Sequence, residues 1–414
     1  MRKHHFLETG VFACVVAFLF ASVLAFAVGR MPGQFATQLL TPNWMPQQIV
    51  KLIETSNDVQ VAMVADVLPA EHPDIAIVLI NEEALSELAY VSPIDRAWVS
   101  DLVKAIAALK PRVIALDLLF DRSTEPAKDA LLIETLSTLD IPVVLGAADE
   151  RYRMTEQARA WQAAFLAKTG SPVGYLNLQY DAQEASGDPI IRYRAAAQNG
   201  GLYPRSFADR IAEAAGHNFG SGGARSAGAK SDGIGGNRRI PWLGQPSEGE
   251  TFFALDAVAV LEAARDPDGF LAVALGPQIA GRIVIVGGDF PGRDRHPTPI
   301  TMHGDDDMLG VQVHAQILAA RLDGRFLTDL GPRTVQAVVF GLSFFGLVAG
   351  ILLHRRGKML AWGASIATLG VVVAGLAALW VTREVVPLAL FVSVLLGSVV
   401  VARLLVRFAP SLRL

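Results

Sequence analysis

The side chains best placed to do chemistry are carboxylates and imidazoles that follow apolar runs. Asp117 lies near the end of the run Arg112–Leu119, with Asp121 just beyond it. Asp289, Asp294 and His296 come after a second run, Gly281–Gly287. Ligands of open α/β sheets bind beyond the carboxyl ends of the strands. If both runs are strands, these five residues are candidate ligand-binding groups that could converge on a polar ligand or a divalent cation. The plainer alternative is that Asp117 is a buried acid hydrogen-bonded to loop amides, while the others cap helices or turns.

Other motifs are weaker. Gly287-Gly288-Asp289 could cradle phosphate with backbone N–H groups, but there is no G-x-G-x-x-G and no G-K-[ST], so turn chemistry is the expectation. Asp305-Asp306-Asp307 lacks the alternating ligands and terminal Glu of a calcium loop and reads as a solvated charge run before a helix. His296, His303 and His314 have no metal-binding spacing, and no G-x-S-x-G is present. We therefore expect no catalytic residues, no metal and no cofactor. A single cysteine, Cys14, excludes a disulfide framework and a Cys-based zinc site.

Those side chains need a scaffold to bring them together. Asp74–Ile80, Arg112–Leu119, Pro142–Gly146 and Gly281–Gly287 read as buried strands, continuous apolar runs bounded by turn signals. Asp95–Leu109, Ala127–Leu139, Pro204–Ala215 and Leu309–Leu322 read as helices. The alternation implies an α/β fold with a mostly parallel sheet flanked by helices. Pro172–Tyr180 and Pro189–Arg194 suggest a hairpin excursion, and Gln47–Thr55 a short amphipathic helix. The Gly- and Ser-rich segment 216–237 reads as a flexible loop.

The chain is 52% hydrophobic and 18% charged over 414 residues, against roughly 25% charge in soluble domains. The excess apolarity is local. Val11–Val28, Thr334–Leu353, Met359–Val381 and Val385–Ala402 carry no charge and are long enough to cross a bilayer. Four transmembrane helices, one N-terminal and three C-terminal, are the expectation. The organisation is then a tip and first helix over 1–30, a connector over 31–73, the main body over 74–330, three helices over 331–406 and a tail over 407–414. Ala25-Phe26-Ala27 has the look of a signal-peptide cleavage site, but the preceding run is long for a signal core, so an uncleaved anchor is expected. Arg2, Lys3, Arg355, Arg356, Lys358, Arg403, Arg407 and Arg413 flank the spans in a pattern that puts both termini in the cytoplasm and the body outside a bacterial inner membrane. The spans lack ionisable residues, which argues against transport. Gly341, Gly346, Gly350, Gly363 and Gly370 suit either close packing within a three-helix bundle or an oligomer. A net charge of −4 lacks the basic footprint of a nucleic-acid binder.

Five stretches together resemble the type-2 CHASE family of extracytoplasmic sensor domains: Ile75–Leu88, Ser92–Arg96, Arg112–Phe120, Gly281–Gly287 with Asp294–Pro299, and Gly310–Leu327. Gly174–Asn177 and Ile191–Phe207 resemble the family's central hairpin and the start of its next helix. The likeness spans about Gln34–Leu327 and puts Arg96, Asp117, Pro299 and His314 on family-matching positions. Asn81 stands where the family commonly has an acid. Family members normally continue into a cytoplasmic output domain, whereas this sequence stops soon after its last span. The resemblance thus implies a membrane-anchored sensor or binding component that signals through a separate membrane, periplasmic or cytoplasmic effector protein. Its other expected partners are the lipid bilayer and, optionally, a second copy of itself. Rival readings are a structural subunit of a membrane assembly and, remotely, an extracytoplasmic hydrolase.

Overall fold

A computed structural model describes residues 21, 47–86, 88–90, 92–180, 190–197, 200–217, 238–246, 249–290, 294–302 and 307–408. In chain order the elements are α1 (Gln47–Met63), β1 (Asp66–Val67), β2 (Ile75–Ile80), α2 (Glu82–Leu85), α3 (Arg96–Ala108), β3 (Val113–Leu116), α4 (Pro126–Thr138), β4 (Val143–Ala147), α5 (Glu156–Thr169) and β5 (Val173–Tyr175). Next come β6 (Gln179–Tyr180), β7 (Ile191–Tyr193), α6 (Phe207–Ala214), β8 (Arg238–Arg239), β9 (Leu243–Gly244), β10 (Phe253–Asp256), α7 (Ala257–Arg265), α8 (Phe270–Ile279) and β11 (Ile283–Gly288). The chain ends with β12 (Arg295–His296), β13 (Met308–Leu309), α9 (Gly310–Leu322), β14 (Leu327–Asp329), α10 (Pro332–Leu352), α11 (Gly357–Thr382), β15 (Glu384–Val385) and α12 (Leu388–Phe408).

The main sheet has the order β10-β2-β11-β3-β4-β5 and every pairing in it is parallel. Alternate residues of each strand feed opposite cores, as the two-residue period of a strand requires. Ile75, Ile77, Val113, Ala115, Ile283 and Ile285 pack with α1, α6 and α9 on one face. Ala76, Val78, Ile114, Leu116, Val284 and Val286 pack with α3, α4, α5 and α7 on the other. Covering on both faces is why the central strands are continuous apolar runs. Asp95 caps α3 by accepting from the Ala97 and Trp98 amides, and Ser206 caps α6.

Several expectations need correction. Pro172–Tyr180 is not one strand: Val173–Tyr175 joins the main sheet, whereas Gln179–Tyr180 pairs antiparallel with β7. That second pairing belongs to a smaller sheet ordered β15-β14-β8-β7-β6. The helix expected over Gln47–Thr55 runs on to Met63, because Asp58 and Gln60 find buried partners within the fold. Gly287 and Gly288 lie in β11 rather than in a turn or phosphate loop, and a side chain at Gly287 would collide with Val311 of α9. The expected first span over Val11–Val28, apart from buried helical Ala21, and most of 216–237 lie outside the described residues.

Among the described residues, three helices are long and apolar enough to cross a membrane: α10, α11 and α12. The last begins at Leu388, not Val385, since Glu384–Val385 pairs with β14 and Pro387 follows. Their ends include Arg333, Lys358, Arg403 and Arg407, so only the inner lengths are free of charge. Gly346 packs against the Leu395 carbonyl and the Ser398 Cβ of α12, and Gly350 against Ala402 and Val399. A Cβ at Gly341, Gly363 or Gly370 would meet open space.

Candidate functional site

Asp117 follows β3 directly, its amide donating to the Val286 carbonyl at 2.8 Å. That places it at the carboxyl edge of the sheet. The residue is half-buried, and among the described residues nothing is hydrogen-bonded to its carboxyl group. Burial, reinforced by the negative charge of Asp294, pushes this carboxyl well above the usual carboxylate range. The shift favours the protonated form of Asp117, which can donate as well as accept.

Asp294 arrives from the loop beyond β11. Its φ of 52° lies in the left-handed region, which Asp tolerates better than most residues. Both its carboxylate oxygens lie against Gly310, the first residue of α9, where the smallest side chain leaves room and the helix N-terminus favours an anion. The Gly310 amide donates to the Asp294 carbonyl at 2.9 Å, which fixes the loop to the helix. His296 bridges outward: Nε2 lies 3.0 Å from Asp294 Oδ1 and Nδ1 lies 3.0 Å from the Tyr180 hydroxyl. Burial and Asp294 both raise the Tyr180 hydroxyl. One turn along α9, buried His314 stands edge-on to Phe207. Burial pulls its imidazole down to about 4, against smaller opposing effects from Asp294 and a backbone hydrogen bond with Leu176.

Of the residues singled out from sequence, His296 contacts the Asp294 carboxylate directly, and Asp117 and His314 lie within electrostatic reach of it. The others do not join them. Asp121 is gripped by its neighbour Arg122, through Nε at 3.0 Å and Nη2 at 2.7 Å, and this pairing holds its carboxyl below the usual range. Asp289 is paired with Arg295 at 2.7 Å. Arg96 is fully buried over the Phe120 ring, donating to the Ile94 and Arg122 carbonyls and lying 3.7 Å from Asp129, so it pins the loop after β3. Pro299 is buried in a turn where the Thr298 amide donates to Thr301 Oγ1. Asn81 caps α2 through the Ala84 amide and donates to Asp256. His303, Asp305 and Asp306 lie outside the described residues.

Sequence reasoning missed Tyr180, which reaches the site from the smaller sheet, and Gly310, whose only signal is its position opening a helix. Among the described residues no group of three His, Asp or Glu side chains is arranged to hold a metal ion. Both ring nitrogens of His296 are engaged, one by a carboxylate and one by a phenol. The polar groups gathered here are two carboxyls, an imidazole and a phenol hydroxyl, all able to hydrogen-bond.

A doubly covered parallel sheet with polar groups at its carboxyl edge, joined to helices apolar enough to cross a membrane, defines a membrane-linked α/β domain. The CHASE2 domain model matches residues 24–352, and the chain belongs to that family, whose members are extracytoplasmic sensor domains. No curated protein and no solved structure is significantly similar to it.

Proposed function

We propose that this protein is a membrane-anchored sensor, not an enzyme, whose α/β body binds a polar ligand outside the cytoplasm and signals through a separate effector protein. The carrying observation is the Tyr180–His296–Asp294 chain seated at the start of α9, with Asp117 at the carboxyl edge of the sheet within electrostatic reach of Asp294. That helix leads through Asp323-Gly324 and β14 straight into α10, so a ligand that draws on Asp294 also acts on the element feeding the membrane. A ligand shifts such an equilibrium only through its differential affinity for the two states.

The orientation rests on charge and pairing. β15, between α11 and α12, pairs with β14 of the body, so that turn lies on the body side. At the opposite end Arg403 reaches Gly357, beside Arg355, Arg356 and Lys358. The basic end is the cytoplasmic one under the positive-inside rule, which supports a multi-pass protein of a bacterial inner membrane with a cytoplasmic C-terminus.

The test is native extraction of the wild type and of Asp294→Asn, followed by mass spectrometry of retained small molecules. A polar species bound to the wild type and absent from an equally stable Asp294→Asn supports a sensor. If the two preparations retain the same species, the ligand reading fails. The scaffold reading has one observation in its favour: the body is fastened to the spans by the buried Asp58–Arg192 pair and by Gln60 hydrogen bonds to Val386. It predicts a stoichiometric protein partner that survives Asp294→Asn.

A further inference from the structure

At the amino edge of the main sheet lies a helix whose apolar surface the body covers on one side only. α8 has no charged residue among its ten. Ala272 and Ile279 fix its inner side and are buried. Phe270, Val273, Ala274 and Pro277 follow the i, i+3, i+4, i+7 spacing of one helix face, and all four are exposed. Phe270 is 89% exposed, more than any large apolar side chain described on α10, α11 or α12. A helix that is apolar all round is ordinarily buried all round. Leaving this face in water opposes the hydrophobic effect, so it calls for an apolar cover.

The connections of α8 show which cover is within reach. Just beyond its end the Gly281 amide donates to the Lys110 carbonyl at 2.9 Å, and β11 begins at the amino edge. Arg282 lies 3.7 Å from Glu71. The next residue, His72, places Nε2 3.3 Å from Asp323, which ends α9. Asp323 in turn accepts from Arg325 Nε at 3.0 Å. Arg325 and Phe326 line one cavity with Arg383, the residue that ends α11. The amino edge is therefore the edge beside the body-side ends of the apolar helices. Met63, Val67 and Phe326, in or next to the lining of that cavity, are themselves 48%, 61% and 51% exposed. Exposed apolar side chains thus recur along this edge up to the helices.

We infer that α8 lies in the headgroup–acyl boundary of the bilayer that α10, α11 and α12 enter, with Phe270, Val273, Ala274 and Pro277 against lipid. A ten-residue apolar helix is too short to span a bilayer and has the length of an interfacial segment. A second protein fits this face less well, since four side chains fall well short of the roughly 800 Å² per partner that a stable interface buries. The inference rests on α10–α12 crossing a bilayer and not on any ligand at Asp294.

The test uses the full-length Cys14→Ser protein in nanodiscs of phosphatidylcholine and phosphatidylglycerol, some of whose chains carry a nitroxide near the headgroup. Single cysteines bearing a small fluorophore are placed at Val273→Cys or Ala274→Cys, with two reference positions. Ile366→Cys, on the exposed side of α11, reports lipid, and Leu202→Cys, whose amide is bonded to Glu150 beyond β4 at the carboxyl edge, reports water. Nitroxide quenching at Val273→Cys and Ala274→Cys should approach that at Ile366→Cys and exceed that at Leu202→Cys several-fold, with quenching by soluble iodide in the reverse order. Adding Phe270→Glu should cut the lipid quenching at Val273→Cys several-fold. Iodide quenching at both α8 positions as strong as at Leu202→Cys, without lipid quenching, overturns the inference. Protection of both positions from iodide and from lipid alike also overturns it, assigning the face to a protein partner or a second copy. If Ile366→Cys is quenched and the α8 positions are not, the inference alone falls; if none is quenched by lipid, the membrane reading of the helices falls with it.

Discussion

Burial pushes the Asp117 carboxyl up and the His314 imidazole down, and both shifts couple stability to pH. Asp117 stays protonated in the fold above the range where an unfolded carboxyl ionises. The native state then binds more protons, so stability falls as pH rises from the unfolded value towards the folded one. His314 runs the other way. With its imidazole pulled from the ordinary 6.5 to about 4, the unfolded chain binds the extra proton between those limits. Its contribution is complete above the higher limit and lost as pH falls towards the lower, a change of about 3 kcal/mol. Asp117→Asn should flatten the loss of stability on the alkaline side and raise the melting temperature near neutrality. His314→Asn should flatten the loss on the acid side, at some cost in packing against Phe207. Melting curves of the full-length protein between about pH 4 and pH 8 check both, and unchanged slopes in both variants would sink the account.

At the scale of elements, legibility followed burial. Strands β2, β3, β4 and β11 were readable because helices cover both faces of the sheet, leaving unbroken apolar runs. β10 was not, for it is an edge strand whose Phe-Ala-Leu-Asp alternates between half-buried and exposed. In the smaller sheet the β6–β7 pair falls within the hairpin expected from Pro172–Tyr180 and Pro189–Arg194, whereas β8, β14 and β15 have only two or three residues, too short for any periodicity to register. Helices α5, α7 and α8 were missed as well. The site shows the same division. Asp117, Asp294 and His296 follow strand ends and are legible as candidates, whereas Asp121 and Asp289 are engaged by Arg122 and Arg295, pairings that only the folded geometry selects. Glycine spacing in the spans was read without knowing which helix faces which, and packing now separates the positions. Gly350→Leu should force α10 from α12, destabilising by about 1–3 kcal/mol or more, while Gly341→Leu, pointing at open space, should be near neutral. Comparing detergent melting temperatures of the two variants decides it; equal effects would mean that the α10–α12 contact is not set by Gly350.

On the scale of the whole molecule, the body and the helices are one connected object, and α1 is the clamp. Asp58 on its buried side takes Arg192 of β7 in two bonds of 2.7 Å, while Gln60 holds both the amide and the carbonyl of Val386 above α12. Removing a carboxylate from a buried guanidinium typically costs about 3–5 kcal/mol. Asp58→Asn should therefore lower the melting temperature of the body far more than the exposed Asp101→Asn, as followed by circular dichroism. The same connectivity fixes which ends of the helices share a side with the body. β15 is hydrogen-bonded into the body's smaller sheet, so Glu384 must lie on the body side, and Arg403 beside Gly357 gathers the basic residues at the other end. Because Cys14 is the chain's single cysteine, Cys14→Ser provides a blank background. On it, Glu384→Cys should react with a membrane-impermeant maleimide added to the outside of sealed cells, and Arg356→Cys only after the membrane is opened. The reverse pattern would place the body in the cytoplasm and remove the basis for a sensor of external ligands. Labelling of both positions from outside would mean that α10 and α11 do not cross the bilayer, leaving the body bound to the membrane by some other route.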